Sequence, residues 1–207
     1  MNIVFGNQKG GVGKTTLAIL FANYLAEKNK KVIAIEMDIQ KSMATTRRHE
    51  VESGTTQSNP YEIVYVGLSE YQKFASALKN SNVNLVIDLP GKLDDPHLVP
   101  VLQDADVIVC PFDYDLRSFL STSTFANVVK QLDSSKEIIF IPNRIRGSIN
   151  YELKETVETK LSTLGHITQA IAERVALKRL STFGITDEQK AIVKKIFDLI
   201  IQKSKIQ

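Results

Sequence analysis

The stretch Lys9-Gly10-Gly11-Val12-Gly13-Lys14-Thr15-Thr16 sets two lysines around a glycine loop and follows it with two hydroxyls. A loop with so little side chain can wrap a phosphate chain with backbone N–H groups. In that arrangement Lys14 would reach the β/γ-phosphates and the Thr15 hydroxyl would ligate Mg²⁺. Asp88 closes the apolar run Leu85-Val86-Ile87 and precedes Leu89-Pro90-Gly91. A carboxylate at a strand end beside a phosphate loop can hold Mg²⁺, usually through water, because magnesium dehydrates reluctantly. Pro90 and Gly91 would shape a loop whose backbone approaches the γ-phosphate. A second carboxylate, Asp38, ends another apolar run within Glu36-Met37-Asp38-Ile39-Gln40-Lys41-Ser42. Phosphoryl transfer to water asks little covalent chemistry of a protein. It asks for positioning, a metal and positive charge against the γ-phosphate oxygens.

These groups work together only if the chain delivers them to one place. Apolar runs alternate with amphipathic stretches along the sequence. The pattern predicts strands at Asn2–Gly6, Lys31–Met37, Glu62–Val66, Asn84–Asp88, Asp106–Pro111, Glu137–Ile141 and roughly His166–Ile171. It predicts helices at Lys14–Lys28, Lys41–Val51, Glu70–Asn80, Ser118–Leu132, Tyr151–Leu164 and Asp187–Lys203. Several strands are near-continuous Val/Ile runs, as parallel strands covered on both faces require. The expected fold is therefore α/β: a doubly wound, mostly parallel sheet flanked by helices, with right-handed crossovers. Ligands in such sheets sit beyond the carboxyl ends of the strands, where all of these motifs fall. The polar segment from Ser53 to Pro60 reads as a surface loop.

A length of 207 residues suits one compact domain, residues 1–207, with a sizeable core. The N-terminus has neither the basic nor the apolar region of a signal peptide. No apolar stretch is long enough to span a bilayer. The single cysteine, Cys110, excludes an internal disulfide and suits a reducing cytoplasm; it ends the run Val107-Ile108-Val109 and reads as a buried apolar residue. The net charge of +3 is too small to imply a nucleic-acid partner by itself. Its distribution says more: between Arg174 and Gln207 stand eight Lys/Arg against three acids. A local basic surface follows, with Arg174, Lys178, Arg179, Lys194 and Lys195 as candidate phosphate contacts for DNA. In the last helix, apolar Ile192, Val193, Ile196, Phe197, Leu199 and Ile200 fall at helical spacing, with lysines between them. Such a stripe can pack on the core or lie on anionic lipid; core packing is the expected reading.

The ordinary nucleotide loop has glycine where this chain has Gln8, and here a lysine, Lys9, enters the loop instead. That arrangement resembles the deviant Walker A motif, KGGxGK[ST], of the ParA/MinD family of ATPases, a P-loop NTPase fold. The resemblance implies that Lys9 reaches across a dimer interface to the nucleotide held by the partner subunit. It implies that Lys14 is the phosphate lysine in cis and that Gly10, Gly11, Val12 and Gly13 wrap the phosphates. Thr15 is then the magnesium ligand, and Thr16 supports the α-phosphate. Asp88 resembles the family's Walker B carboxylate. Glu36 to Ser42 resembles the switch I pattern DxDPQ, in which Asp38 orients the attacking water or takes its proton and stands near the metal with Thr15 and Asp88. The chain departs from that pattern twice, at Glu36 and Ile39. Glu36 keeps the charge one methylene farther out, and Ile39 removes the fixed φ of proline. Asn143 and Arg144, after the run ending Ile141-Pro142, resemble the base-recognition end, with Asn143 on adenine; Pro111 resembles a rim residue.

The resemblance further implies ATP and Mg²⁺ as cofactors, a homodimer formed on ATP binding, and hydrolysis that depends on it. Relatives of this short ParA type bind DNA nonspecifically, respond to a small stimulating partner protein and also occur on conjugative elements. A bacterial cytoplasmic, nucleoid-associated protein is the implied setting. A MinD-like membrane-associated protein and a noncatalytic ATP-binding module are the alternatives. One cysteine cannot supply the bridging cluster of the nitrogenase iron protein, and a small-molecule kinase on this fold would not need Lys9.

Overall fold

The computed structural model describes residues 1–79, 81–92 and 94–204. Asn80, the expected end of the third helix, and Lys205, one of the eight C-terminal basic residues, lie outside the described residues. Seven strands form one parallel sheet: β1 (Asn2–Phe5), β2 (Val32–Glu36), β3 (Glu62–Tyr65), β4 (Asn84–Asp88), β5 (Val107–Phe112), β6 (Glu137–Pro142) and β7 (His166–Ile167). Their order is β3-β2-β4-β1-β5-β6-β7, every pair parallel. β1 is central, so the chain leaves it toward β2 on one side and later crosses it between β4 and β5. The crevice at such a reversal is where a doubly wound sheet binds its ligand.

Seven helices cover the sheet: α1 (Lys14–Glu27), α2 (Ser42–Glu52), α3 (Tyr71–Leu78), α4 (Leu98–Asp104), α5 (Leu116–Leu132), α6 (Lys154–Ser162) and α7 (Asp187–Ser204). Period-two alternation in β1 sends Ile3 and Phe5 into a core shared with α1 and α7, and Val4 into a core shared with α3 to α6. α1 is buried continuously from Leu17 to Leu25, because the sheet lies on one side and α7 on the other. α7 lays Val193, Ile196, Phe197 and Ile200 into that core, and the Phe197 ring meets Phe21 and Tyr24 edge-on at 5.1 and 5.5 Å. The apolar stripe is therefore a core face, as expected. No helix among the described residues is long and apolar enough to cross a membrane.

Three differences from the sequence expectation have physical causes. α5 starts at Leu116 rather than Ser118 because Asp115 is its cap: Oδ1 accepts the Ser118 N–H at 2.9 Å. α4 was not anticipated, since Pro100 interrupts its pattern. Pro100 sits in the first turn, where no intrahelical N–H bond is lost. β7 stops at Ile167, but the chain keeps alongside β6 through Ile171 N–H to Pro142 O at 2.7 Å. That tether carries Ala172 and Glu173 to the carboxyl edge of the sheet.

Candidate functional site

The loop from Gly6 to Gly13 leaves β1 and enters α1. Gly11 and Gly13 have φ of 76° and 98°, the left-handed region that side chains resist. Gly13 is also the N-cap of α1, and no side chain caps that helix. The N–H groups of the first turn are thus turned toward the crevice, with the positive end of the helix dipole behind them. Asn7, buried at 1% exposure, anchors the entry of the loop. Its Nδ2 donates to Pro111 O and Thr122 Oγ1, both at 2.8 Å, and its Oδ1 accepts the Lys9 N–H at 3.0 Å. Sequence reasoning missed Asn7; a polar residue between an apolar strand and the glycines was its one signal.

Two cavities open on the loop. The first, about 470 Å³, is lined by Gly11, Gly13, Lys14, Thr15, Thr16, Asn143 and Arg144, and by Ala172, Glu173, Arg174, Leu177, Lys178 and Leu180, among others. The second, about 710 Å³, is lined by Gly10, Gly11, Lys14, Thr15, Asp38, Gln40, Pro90, Gly91 and Lys92, among others. Lys14 and Thr15 line both, so one elongated ligand can run across them. Lys9 lines neither. Its charge instead acts on Asp115: burial raises that carboxyl, but hydrogen bonds and Lys9 outweigh the burial and hold it below its ordinary value.

Behind the wall that Thr15 gives both cavities, its hydroxyl donates to Asp88 Oδ2 at 2.5 Å. Asp88 is 1% exposed and its Oδ1 has no partner. Burial raises its pKa to about 7, against the Thr15 hydrogen bond and the Lys14 charge, while Glu36 and Asp38 add to the rise. A buried carboxylate oxygen left unpaired beside a hydroxyl and a lysine calls for a cation. Among the described residues no three His, Cys, Asp or Glu cluster in a metal-binding arrangement. The donors present, the Thr15 hydroxyl and the Asp88 carboxylate, are oxygens, which fits Mg²⁺, an ion that keeps most of its waters. Thr15 and Asp88 are the residues that would hold it.

Asp38 lies in the turn between β2 and α2, where its Oδ1 accepts the Gln40 N–H at 3.0 Å and its backbone carbonyl accepts the Lys41 N–H. It does not cap α2. That task falls to Glu36, whose two oxygens accept the N–H groups of Met43 at 2.6 Å and Ala44 at 3.2 Å. The extra methylene of Glu36 is what lets a strand-end carboxylate reach the helix. Its burial still raises its pKa, although those two hydrogen bonds oppose the rise. Ile39 beside it is 83% exposed, and Lys41 takes a left-handed φ of 49°.

The other candidate residues divide. Asn143 is 4% exposed and its Nδ2 donates to Val12 O at 2.8 Å. Arg144 Nη1 donates to Gly11 O at 2.7 Å. Pro111 is buried within β5 and lines neither cavity. It is tolerated there because β1 pairs β5 only as far as Val109. Arg174 and Lys178 join the wall of the first cavity, and Lys178 pairs with Glu173 at 2.9 Å. Arg179 follows them in the chain, its carbonyl accepting Gln189 Nε2. Lys194 and Lys195 are exposed on α7, where Lys194 pairs with Asp198 at 2.5 Å.

The sheet reversal, the uncapped α1 and the Thr15–Asp88 pair together define a phosphate-loop nucleotide-binding protein. The sequence pattern of the CobQ/CobB/MinD/ParA nucleotide-binding domain matches residues 3–186, and the chain belongs to that family. Over 92 residues it is 51% identical to the chromosome-partitioning ATPase Soj of Treponema pallidum. That match covers 44% of this chain and 33% of the Treponema protein, so the chain spans about a third of that curated relative. A plasmid partition protein from Borrelia burgdorferi is similar over 98% of both chains, with a TM-score of 0.73 at 21% identity. An AMPPNP-bound protein of that bacterium gives 0.75 at 22%, also over 98% of both chains. The ParA of pNOB8 bound to nonspecific DNA gives 0.59 at 18%, covering 99% of this chain and 94% of that one. At these identities the structural likeness is one of fold.

Proposed function

We propose that the chain is a ParA-like, Mg²⁺-dependent ATPase that forms a dimer around ATP and uses hydrolysis to release it. The observation that carries this reading is the division of labour between the lysines. Lys14 lines both cavities beside its own loop, whereas Lys9, in the same loop, lines neither. A loop lysine that lines neither cavity of its own subunit supports a role at the nucleotide of another. Lys14 would counter the charge that develops on the γ-phosphate oxygens. Asp38, held by the Gln40 N–H, would orient the attacking water or take its proton. Mg²⁺ held by Thr15 and Asp88 would neutralise charge on the β- and γ-oxygens.

The chemistry would switch binding to nonspecific DNA, through phosphate contacts from Arg174, Lys178, Arg179, Lys194 and Lys195, and to a small stimulating partner protein. Soj's description as a chromosome-partitioning ATPase and the Borrelia plasmid partition protein support a role in partitioning of a plasmid or mobile element. The burial of the α7 stripe weighs against a MinD-like membrane helix. One observation favours a second reading, a noncatalytic ATP-binding module: the Glu36 carboxylate is engaged by the α2 backbone.

Sedimentation with saturating ATP and Mg²⁺ tests the proposal. Asp38→Ala is expected to sediment as a persistent dimer without phosphate release, Lys9→Ala to bind ATP as a monomer, and the native chain to cycle. A monomeric Asp38→Ala protein would refute the dimer. A native dimer that releases no phosphate would establish the noncatalytic reading. DNA binding is expected to be salt-sensitive, sequence-independent and confined to the ATP state; equal binding with ADP would refute the switch.

A further inference from the structure

A loop can cradle phosphates only if its carbonyl oxygens are turned away from them. Each peptide that points its N–H into the crevice points its C=O outward; the carbonyl of buried Val12 needs a donor, and that of exposed Gly11 is held in place by one. Glycine and valine cannot supply one. In this chain the donors come from the turn after β6: Arg144 Nη1 to Gly11 O at 2.7 Å and Asn143 Nδ2 to Val12 O at 2.8 Å. Both arms are fixed from behind. The Asn143 N–H donates to Phe112 O at 2.7 Å. A Cβ on Gly13 would come within 2.4 Å of the Asn143 amide nitrogen, so the two residues are in close contact. Arg144 holds a left-handed φ of 60°, which an arginine adopts at some cost. Its Nη2 lies 3.9 Å from Glu173 Oε1. Glu173 is itself pinned by Lys178 at 2.9 Å and Arg146 at 2.6 Å, which draw its pKa down to about 2.

We propose that Arg144, held by Glu173, is a positioning residue with Asn143: the pair presets the phosphate loop by bonding the Gly11 and Val12 carbonyls, and Arg144 does not read the base. The inference rests on nucleotide binding at this loop and needs neither dimerisation nor hydrolysis. Its signature follows from where the loop acts. A loose loop weakens every ligand that places a β-phosphate in it, by the same factor, and leaves the nucleoside alone.

The test measures ATP, ADP and adenosine affinity on the full chain with Mg²⁺, adenosine by competition, for the native protein, Arg144→Ala and Arg144→Lys, with melting temperatures alongside. Arg144→Ala is expected to weaken ATP and ADP equally, by about tenfold. That is the low end for a hydrogen bond from a charged donor, chosen because the side chain is half exposed. Adenosine affinity and melting temperature should hold, and lysine, which can still reach a carbonyl, should recover most of the loss. Glu173→Gln frees Arg144 without removing it, so it should show a smaller effect on ATP and ADP alone, and it serves if Arg144→Ala does not fold. Equal weakening of adenosine would overturn the inference in favour of a base contact, and unchanged ATP and ADP affinity would overturn it outright. A native chain that binds no ATP would overturn the nucleotide reading and the inference with it.

Discussion

Asp88→Asn should stabilise the metal-free protein above neutral pH while removing the proposed metal site. Burial raises the Asp88 carboxyl from its ordinary 3.8 to about 7. Between those values the folded chain keeps a proton that the unfolded chain has lost, so stability falls as pH rises. The interval is about three pH units, and at 1.36 kcal/mol per unit the penalty above pH 7 reaches about 4 kcal/mol as an upper bound. Asparagine carries no charge and keeps an oxygen to accept the Thr15 hydroxyl, so it should recover a part of that, ~1–2 kcal/mol. The assay is urea denaturation of both proteins in EDTA at pH 5 and pH 8, without nucleotide. The native chain should lose more stability between the two than the variant, which keeps only the contribution of Glu36; the difference should shrink as pH falls toward the ordinary Asp value of 3.8. Mg²⁺ with ATP should then raise the native midpoint and leave the variant's nearly unmoved. A variant no more stable than the native chain at pH 8 would refute the argument that the buried, unpartnered oxygen of Asp88 is held ready for a cation.

Gly13→Ala should cost ~1–2 kcal/mol of stability for its left-handed φ of 98°. It should also displace the Asn143 amide and cut ATP affinity, read by titration and thermal melting. Phe197→Ala should destabilise the protein by about 3–5 kcal/mol, since the ring is fully buried against Phe21 and Tyr24. Thermal unfolding checks this.

The strands were readable because a parallel sheet covered on both faces demands unbroken apolar runs. β4 falls at Asn84–Asp88 as its pattern requires. Where expectation and structure part, a contact distant in sequence decides. The helix α4, with Pro100 in its first turn, has no counterpart in the sequence expectation. Glu36 stands where the switch pattern has an aspartate, and its carboxylate holds the start of α2. Asn143 resembles a base contact, and its amide nitrogen bonds a loop carbonyl that no local pattern announces. In each case the residue type leaves several partners open, and packing selects one.

By itself the sequence determined the chemistry of the loop. Glycines at 11 and 13 permit left-handed backbone, Lys14 and Thr15 follow at fixed offsets, and strand-loop-helix order aims the N–H groups at one point; all of this is local. Only the tertiary structure decided which lysine lines the cavities, and that Asp88 keeps a buried, unpaired oxygen beside Thr15. The same holds for Asn143 and Arg144, which reach the loop across 131 and 133 residues of chain. The fate of α7 is of this kind too: an apolar stripe suits lipid and core equally, and burial against Phe21 and Tyr24 settles it. Hydrogen bonds and burial join residues the chain order keeps apart, and no local spacing records which of them meet.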